Sequence, residues 1–174
     1  SYRPAPDCDK NYKPVIDLSN VSVQRVFGYH ECCAIITKDG TLRMFGDNYF
    51  GQLGTGDTQD NTTFKPVKGL ENAIVVRVDL GQSHTLILCD DGKTYSIGFN
   101  EDGQLLTNSK EKKHMTAQLI ETVPDQITNI FCGDNFSIVG TRAPLVPSVG
   151  EVFFGLSNSS QPIVFRLYRF LDFP

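Results

Sequence analysis

The groups in this chain with the chemistry to act as bases, nucleophiles or metal ligands are three histidines and five cysteines. His84 opens the apolar run Thr85-Leu86-Ile87-Leu88, and an imidazole that titrates near neutrality suits a general base. A base of that kind needs a nucleophile and an orienting group within reach. No such motif accompanies His84, so a structural role at the start of a strand is expected. His30, Cys32 and Cys33 lie together but lack the paired Cys-x-x-Cys or His-x-x-x-His spacing of tetrahedral zinc, and packing is the expected role. Asp57, Asp60 and Asn61 share one loop without the alternating oxygens and central glycine of a calcium loop, and read as a solvated turn. No glycine-rich phosphate loop with its following lysine is present, and no nucleophile elbow. Gly51-Gln52-Leu53-Gly54-Thr55-Gly56 is glycine-rich but reads as a turn. Lys110, Lys112 and Lys113 surround Glu111 in a polar connector, read as a solvated loop, with contact to a phosphate or an acidic protein as the alternative. No catalytic, metal-binding or cofactor-binding residue is expected, and no cofactor.

The elements that position these residues follow from a repeat. Asp39-Gly40-Thr41-Leu42-Arg43-Met44-Phe45-Gly46, followed by Gly51-Gln52-Leu53, recurs as Asp91-Gly92-Lys93-Thr94-Tyr95-Ser96-Ile97-Gly98, followed by Gly103-Gln104-Leu105. A period near 50 residues marks an array of supersecondary units. Short β-branched runs flank each Asp-Gly, the strongest local signal for a hairpin, because glycine supplies the positive φ of a tight turn. The first unit reads as strands over Val21–Phe27, Cys32–Ile36 and Leu42–Phe45, with Gly28 punctuating the first two. The second reads as Ile74–Val78, His84–Leu88 and Thr94–Ile97. A fourth segment returns in each at Phe64–Val67 and Thr116–Ile120, and Pro66 marks an edge strand because it has no N–H for a second ladder. A third, worn unit starts at Ile127. It has a longer connection at Pro144–Gly150, then Val152-Phe153-Phe154-Gly155, and Ile163–Phe170 as its outer strand.

Four antiparallel strands per unit make a propeller blade. The expected fold is therefore all-β, a partial propeller of about three blades. Residues 1–20 form an extended arm or the remnant of a preceding blade, 21–72 and 73–125 two blade-like repeats, and 126–174 a degenerate third repeat with the C-terminal edge. Phe45, before the motif glycine, is expected in a blade core, where Phe45→Ala would cost roughly 3–5 kcal/mol.

Composition bounds the partners. Hydrophobic residues make up 40% and charged residues 21%, which fits a globular chain. The formal net charge of −4 speaks against nucleic acid as the main ligand, since phosphate binding concentrates Lys and Arg on one face. No run reaches the length of a membrane span and the N-terminus lacks a signal-peptide layout. An intracellular location, cytoplasmic or nuclear, is expected. The cysteines read as free thiols, with Cys32, Cys33 and Cys89 buried in apolar runs. The Asn-x-Ser/Thr sequences at Asn20, Asn61, Asn135 and Asn158 read as coincidence.

With Gly81-Gln82-Ser83-His84-Thr85-Leu86, the two Asp-Gly turns, Phe45-Gly46, Ile97-Gly98 and the Gly-Gln-Leu runs, the chain resembles the regulator of chromosome condensation repeat family over about 21–167. The resemblance implies blades of a β-propeller, seven in known members, used as a binding platform. For the founding member it implies nucleotide exchange on the Ran GTPase. The chain differs from the family pattern in having no Trp, with Phe45, Ile97 and Phe154 in its place. Three units cannot close a ring, so a fragment of a longer propeller, or an array completed by a partner, is expected.

The expected function is a non-catalytic protein-interaction scaffold. Its expected binding residues are Asp47, Asn48, Tyr49 and Phe50 in the first unit, Phe99, Asn100, Glu101 and Asp102 in the second, and Arg166, Tyr168 and Arg169 at the C-terminal edge. Repeated loops on one face of a rigid array form a broad binding surface, and aromatic and arginine residues concentrate at interface hot spots. The alternatives are guanine nucleotide exchange on a small Ran-like GTPase and a structural subunit of a large assembly.

Overall fold

A computed structural model describes residues 18, 20–123, 126–141, 149–155 and 163–168. The strands are β1 (Val23–Tyr29), β2 (Cys32–Thr37), β3 (Leu42–Gly46), β4 (Asn61–Pro66), β5 (Val75–Leu80), β6 (His84–Cys89), β7 (Thr94–Phe99), β8 (Lys113–Leu119), β9 (Ile127–Cys132), β10 (Ser137–Thr141), β11 (Val149–Gly155) and β12 (Ile163–Tyr168). They form three four-stranded antiparallel meanders in chain order, β1-β2-β3-β4, β5-β6-β7-β8 and β9-β10-β11-β12. The protein is an all-β partial propeller. The expected first strand moves two residues toward the C-terminus: Gly28 is inside β1, opposite Cys33, instead of ending the strand. The hairpin tightens around His30, which has a positive φ of 49°.

The Asp-Gly turns do what their sequence demands. Gly40 and Gly92 both have φ of 82°, a region costly for residues with a Cβ. The turns also join blades. A Cβ on Gly40 would lie 2.6 Å from Ile74 Cγ2, and the Gly40 carbonyl accepts from Val75 N at 2.9 Å. The first blade's hairpin therefore rests on the entry to the second blade's first strand.

Alternation along the strands builds two cores, one on each face of the middle blade. Ala34, Ile36, Leu42 and Met44 of the first blade meet Val78, Leu80, Ile87, Cys89 and Ile97 of the second. Leu86 and Leu88 point the other way, to Ile127, Ile130, Cys132 and Val139. This explains why β6 is buried at every residue while β1 is half-buried or exposed throughout. A strand covered on both faces carries an unbroken apolar run.

The same geometry corrects the expectation for Phe45. Met44 enters the shared core, and Phe45, next along β3, turns to the opposite side of the blade. It is half-buried there, its ring 5.6 Å from that of Phe64. Ile97, its counterpart in the second blade, faces the shared core and is fully buried. Pro66 ends β4, the last strand of its sheet, opposite Arg43 of β3. Among the described residues Cys32, Cys89 and Cys132 are buried free thiols, whereas Cys33 is only half-buried. Burial pushes the Cys32 and Cys89 thiols up to about 11. Asn135 lies in an exposed bend ahead of β10. No helix among the described residues is long and apolar enough to cross a membrane.

Candidate functional site: the paired loops after β3 and β7

Each β3-type strand ends in a long excursion before the outer strand, residues 47–60 in the first blade and 100–112 in the second. Such a loop needs partners for its backbone polar groups, and one asparagine supplies many of them in each case. Asn48 is fully buried. Its Nδ2 donates to the carbonyls of Asp57 at 3.0 Å and Gln59 at 3.1 Å, and its Oδ1 accepts from Leu53 N at 3.0 Å. Asn100, 8% exposed, repeats this with Ser109 O, Glu111 O and Leu105 N. These two residues, expected to face a partner, instead hold the loops in shape: both are buried, and their amide donors are spent on loop carbonyls.

The Gly-Gln-Leu motif anchors the loop and joins it to the next blade. Gln52 and Gln104 are buried, and their Oε1 atoms accept from Phe50 N at 2.9 Å and Asp102 N at 3.0 Å. Their backbone carbonyls accept from Thr85 Oγ1 at 3.0 Å and Ser137 Oγ at 2.6 Å, residues of the following blade. Leu53 and Leu105 are fully buried beneath. Sequence reasoning misses the role of these glutamines across blades. The available signal is a polar residue kept between glycine and leucine in both units.

His84 belongs to the same seam. It is fully buried, with Nε2 2.9 Å from Ser137 Oγ. Ser137 gives its only hydroxyl proton to Gln104 O, so it accepts from His84 Nε2–H and the ring is the Nε2-protonated tautomer. Desolvation by burial lowers its pKa to about 4, opposed by a hydrogen bond to the Phe136 backbone. It is a neutral structural histidine linking two blades. Asp79 also ties the second blade to the third. Its carbonyl accepts from Cys132 Sγ at 3.2 Å and its carboxylate accepts from Cys132 N. Burial raises its pKa, while that N–H and Arg77 pull it back.

Within the loops the side chains left for a partner are few. Tyr49 is 71% exposed. Its ring packs edge-on against Phe50 at 5.0 Å, and Phe50 rests on Phe99, the last residue of β7, at 5.0 Å. Phe50 and Phe99 are half-buried. This aromatic row crosses from one blade to the next. Near it in sequence, Asp47 and Asp102 are half-buried and Glu101 is exposed. Glu101 pairs with Lys112 at 2.6 Å on the surface. Asp47 accepts from Gln52 Nε2 at 2.7 Å through one oxygen. Phe99 occupies the position of Asp47 in the second unit, and Gln104 Nε2 has no hydrogen-bond partner within the described protein. Asp57 and Asp60 are exposed but hold the turn, accepting from Gln59 N at 3.0 Å and Asn48 N at 2.9 Å, while Asn61 is buried.

At the C-terminal edge Arg166 and Tyr168 lie on β12, opposite Glu151 and Val149. Their side chains and all of Arg169 lie outside the described residues, as do residues 1–17 of the expected arm and Asn158.

The sequence matches the Regulator of chromosome condensation (RCC1) repeat over residues 39–88 and 91–139. The chain belongs to the RCC1 repeat family. The family's unit is out of phase with the blade. Residues 39–88 run from the β2–β3 turn through β3, β4, β5 and β6, and so span two sheets. Each sequence repeat thus contains a seam between blades, at Gly40, Gln52 and Thr85 in the first and at Gly92, Gln104 and Ser137 in the second. The chain is 34% identical over 125 residues to a zebrafish (Danio rerio) "Protein RCC2 homolog", covering 70% of this chain and 25% of that protein. It is 30% identical over 139 residues to a bovine (Bos taurus) "Secretion-regulating guanine nucleotide exchange factor", covering 80% and 29%. The chain therefore spans under a third of the length of these relatives. In fold it is similar to human WBSCR16, with a TM-score of 0.70 and 17% identity over 82% of this chain and 37% of that one. It is also similar to Prp20p of Saccharomyces cerevisiae, with a TM-score of 0.65 and 19% identity over 86% and 39%, a structure reported with its binding properties to Gsp1p and histones.

Proposed function

We propose that this RCC1-repeat array is a non-catalytic protein-interaction scaffold that binds its partner through the loop face of its first two blades. The observation that carries this reading is the aromatic row Tyr49–Phe50–Phe99, which continues across a blade boundary on a rigid frame and stays partly open to solvent. Aromatic residues anchored by their own packing give contact area at little entropic cost, and interface energy concentrates in a few such anchors. Asp47, Glu101 and Asp102 supply the polar rim. Buried Asn48 and Asn100 act indirectly, by fixing the loops. An intracellular place of action belongs to the same reading.

The test compares wild type with Tyr49→Ala/Glu101→Ala/Asp102→Ala as bait, with captured proteins quantified by mass spectrometry. Specific partners should fall by about tenfold or more with the variant, since a hot-spot residue contributes about 2 kcal/mol or more. Retention of every partner would exclude the loop face as the interface.

A second reading, guanine nucleotide exchange on a small GTPase, draws on the bovine relative and the yeast structure. Exchange of that kind works by stabilising the nucleotide-free GTPase through protein contacts and needs no nucleotide motif here. It is tested by release of labelled GDP across a panel of small GTPases. No acceleration by the full chain would reject it.

A further inference from the structure

Resting on the scaffold reading, we infer that the segment this face receives is arginine-bearing. Two independent observations meet there. The first is charge. Loop 47–60 contains Asp47, Asp57 and Asp60 with no Lys or Arg, and loop 100–112 contains Glu101, Asp102 and Glu111 against Lys110 and Lys112, with Lys113 next, opposite Phe99. Six carboxylates against three ammonium groups give −3, most of the chain's formal net charge of −4. Not all of that charge is open. Asp57 is held below its ordinary pKa by the Gln59 N–H, with Lys65 and Lys68 contributing, and Glu101 already holds Lys112. Asp47 and Asp102, close in sequence to the aromatic row, have no Lys or Arg partner among the described residues. The Lys112–Glu101 pair is exposed, so exchanging Lys112 for an incoming cation costs little.

The second observation is the aromatic row itself. Tyr49 stands edge-on to Phe50 with its ring largely in solvent, and Phe50 leans on Phe99 at an interplanar angle of 56°. Aromatic faces attract cations. A guanidinium can stack on such a face while its planar N–H fork reaches a neighbouring carboxylate, which a lysine ammonium does less well. The repeat distributes the two chemistries in a complementary way. Tyr49 and Phe50 in one loop correspond to Glu101 and Asp102 in the other, and Asp47 corresponds to Phe99. The repeat thus puts carboxylates in one unit at positions where the other carries aromatic rings, and the two units touch through Phe50 on Phe99. An acidic or purely apolar segment would satisfy only part of this surface.

The full chain is titrated into a short fluorescein-labelled peptide of alternating Arg and Ser, and anisotropy is compared with peptides carrying Lys or citrulline in place of Arg. The Arg peptide should bind, the Lys peptide several-fold more weakly, and the uncharged citrulline peptide not measurably. Tyr49→Leu keeps an apolar side chain at an exposed position and should leave the melting curve unchanged. It should weaken the Arg peptide by about 2- to 5-fold. Glu101→Gln/Asp102→Asn should weaken it further and flatten its dependence on salt. The inference is overturned if Arg and citrulline peptides bind alike, if no peptide binds, or if Lys matches Arg and Tyr49→Leu has no effect. Failure here is distinguishable from failure of the scaffold reading. If the triple alanine variant still loses its captured partners while the Arg peptide does not bind, the loop face stands as an interface and only its partner class is wrong.

Discussion

His84, fully buried at the start of β6, is a structural group despite chemistry that would suit a base. Its neutral state follows from burial and from the Ser137–Gln104 chain, and it makes folding sensitive to acid. The folded pKa of about 4 lies below the ordinary 6.5, so the unfolded chain takes up the proton first. Stability from this group is fully present above about pH 6.5 and is lost as pH falls toward 4, by roughly 3 kcal/mol in all. Asp79 acts in the opposite sense, because burial raises its pKa and its contribution is lost as pH rises. Urea midpoints at pH 7 and 5 should therefore differ in wild type and differ less in His84→Gln, and the His84 C2 proton should not titrate between pH 8 and 5. Phe45 and Ile97 make a second residue-scale contrast. Ile97→Ala should cost about 2–5 kcal/mol, whereas half-buried Phe45→Ala should cost about 2, below the fully buried phenylalanine range. Equal losses in urea titration would mean that Phe45 is as deeply packed as its counterpart.

At the scale of elements, the hairpins are the joints of the array. Gly40→Val places a β-branched side chain at φ of 82° and drives its Cβ into Ile74 of the next blade. Backbone strain alone is worth about 1–2 kcal/mol, and the Ile74 contact adds to it. Gly92→Val carries the same strain, but its Cβ meets the side chain of Gln126, which is exposed and can move. Gly40→Val should therefore be the more destabilising of the two, and Ile74→Ala should recover part of the loss in a double-mutant cycle. For the loops, Asn48→Ala leaves several backbone groups without their partner and should cost at least about 2 kcal/mol, with the Leu53 amide losing hydrogen-exchange protection. Much of this level is legible in the sequence: Asp39-Gly40 and Asp91-Gly92 mark the hairpins, and Pro66 marks an edge. The bounds of β1 are less so, because Gly28 looks like punctuation, yet glycine can pair within a strand whose other face is open. Asn48 and Asn100 read as surface residues because a polar loop residue gives no sign that its amide closes the loop from inside.

At the scale of the whole molecule, three blades are joined by recurring devices: a hairpin turn on the next blade's entry, a glutamine carbonyl gripped by the next blade's hydroxyl, and an apolar core shared between faces. The phase of the RCC1 repeat, which spans two sheets, means that the unit repeated in the sequence is the joint as much as the blade. The periodicity discloses the array, but not which side of it meets a partner. The fold separates the two ends. Loops 47–60 and 100–112 leave one end of the strands, and the Asp-Gly hairpins turn at the other. The most direct test of the central claim is site-specific photo-cross-linking with p-benzoyl-phenylalanine at Tyr49 or Glu101 on the loop end, and at Lys38 or Asp90 on the hairpin end. All four positions are exposed. Cross-links to a partner from positions 49 and 101, with none from 38 and 90, are the predicted result. Cross-links confined to 38 and 90, or equal from both ends, would contradict it.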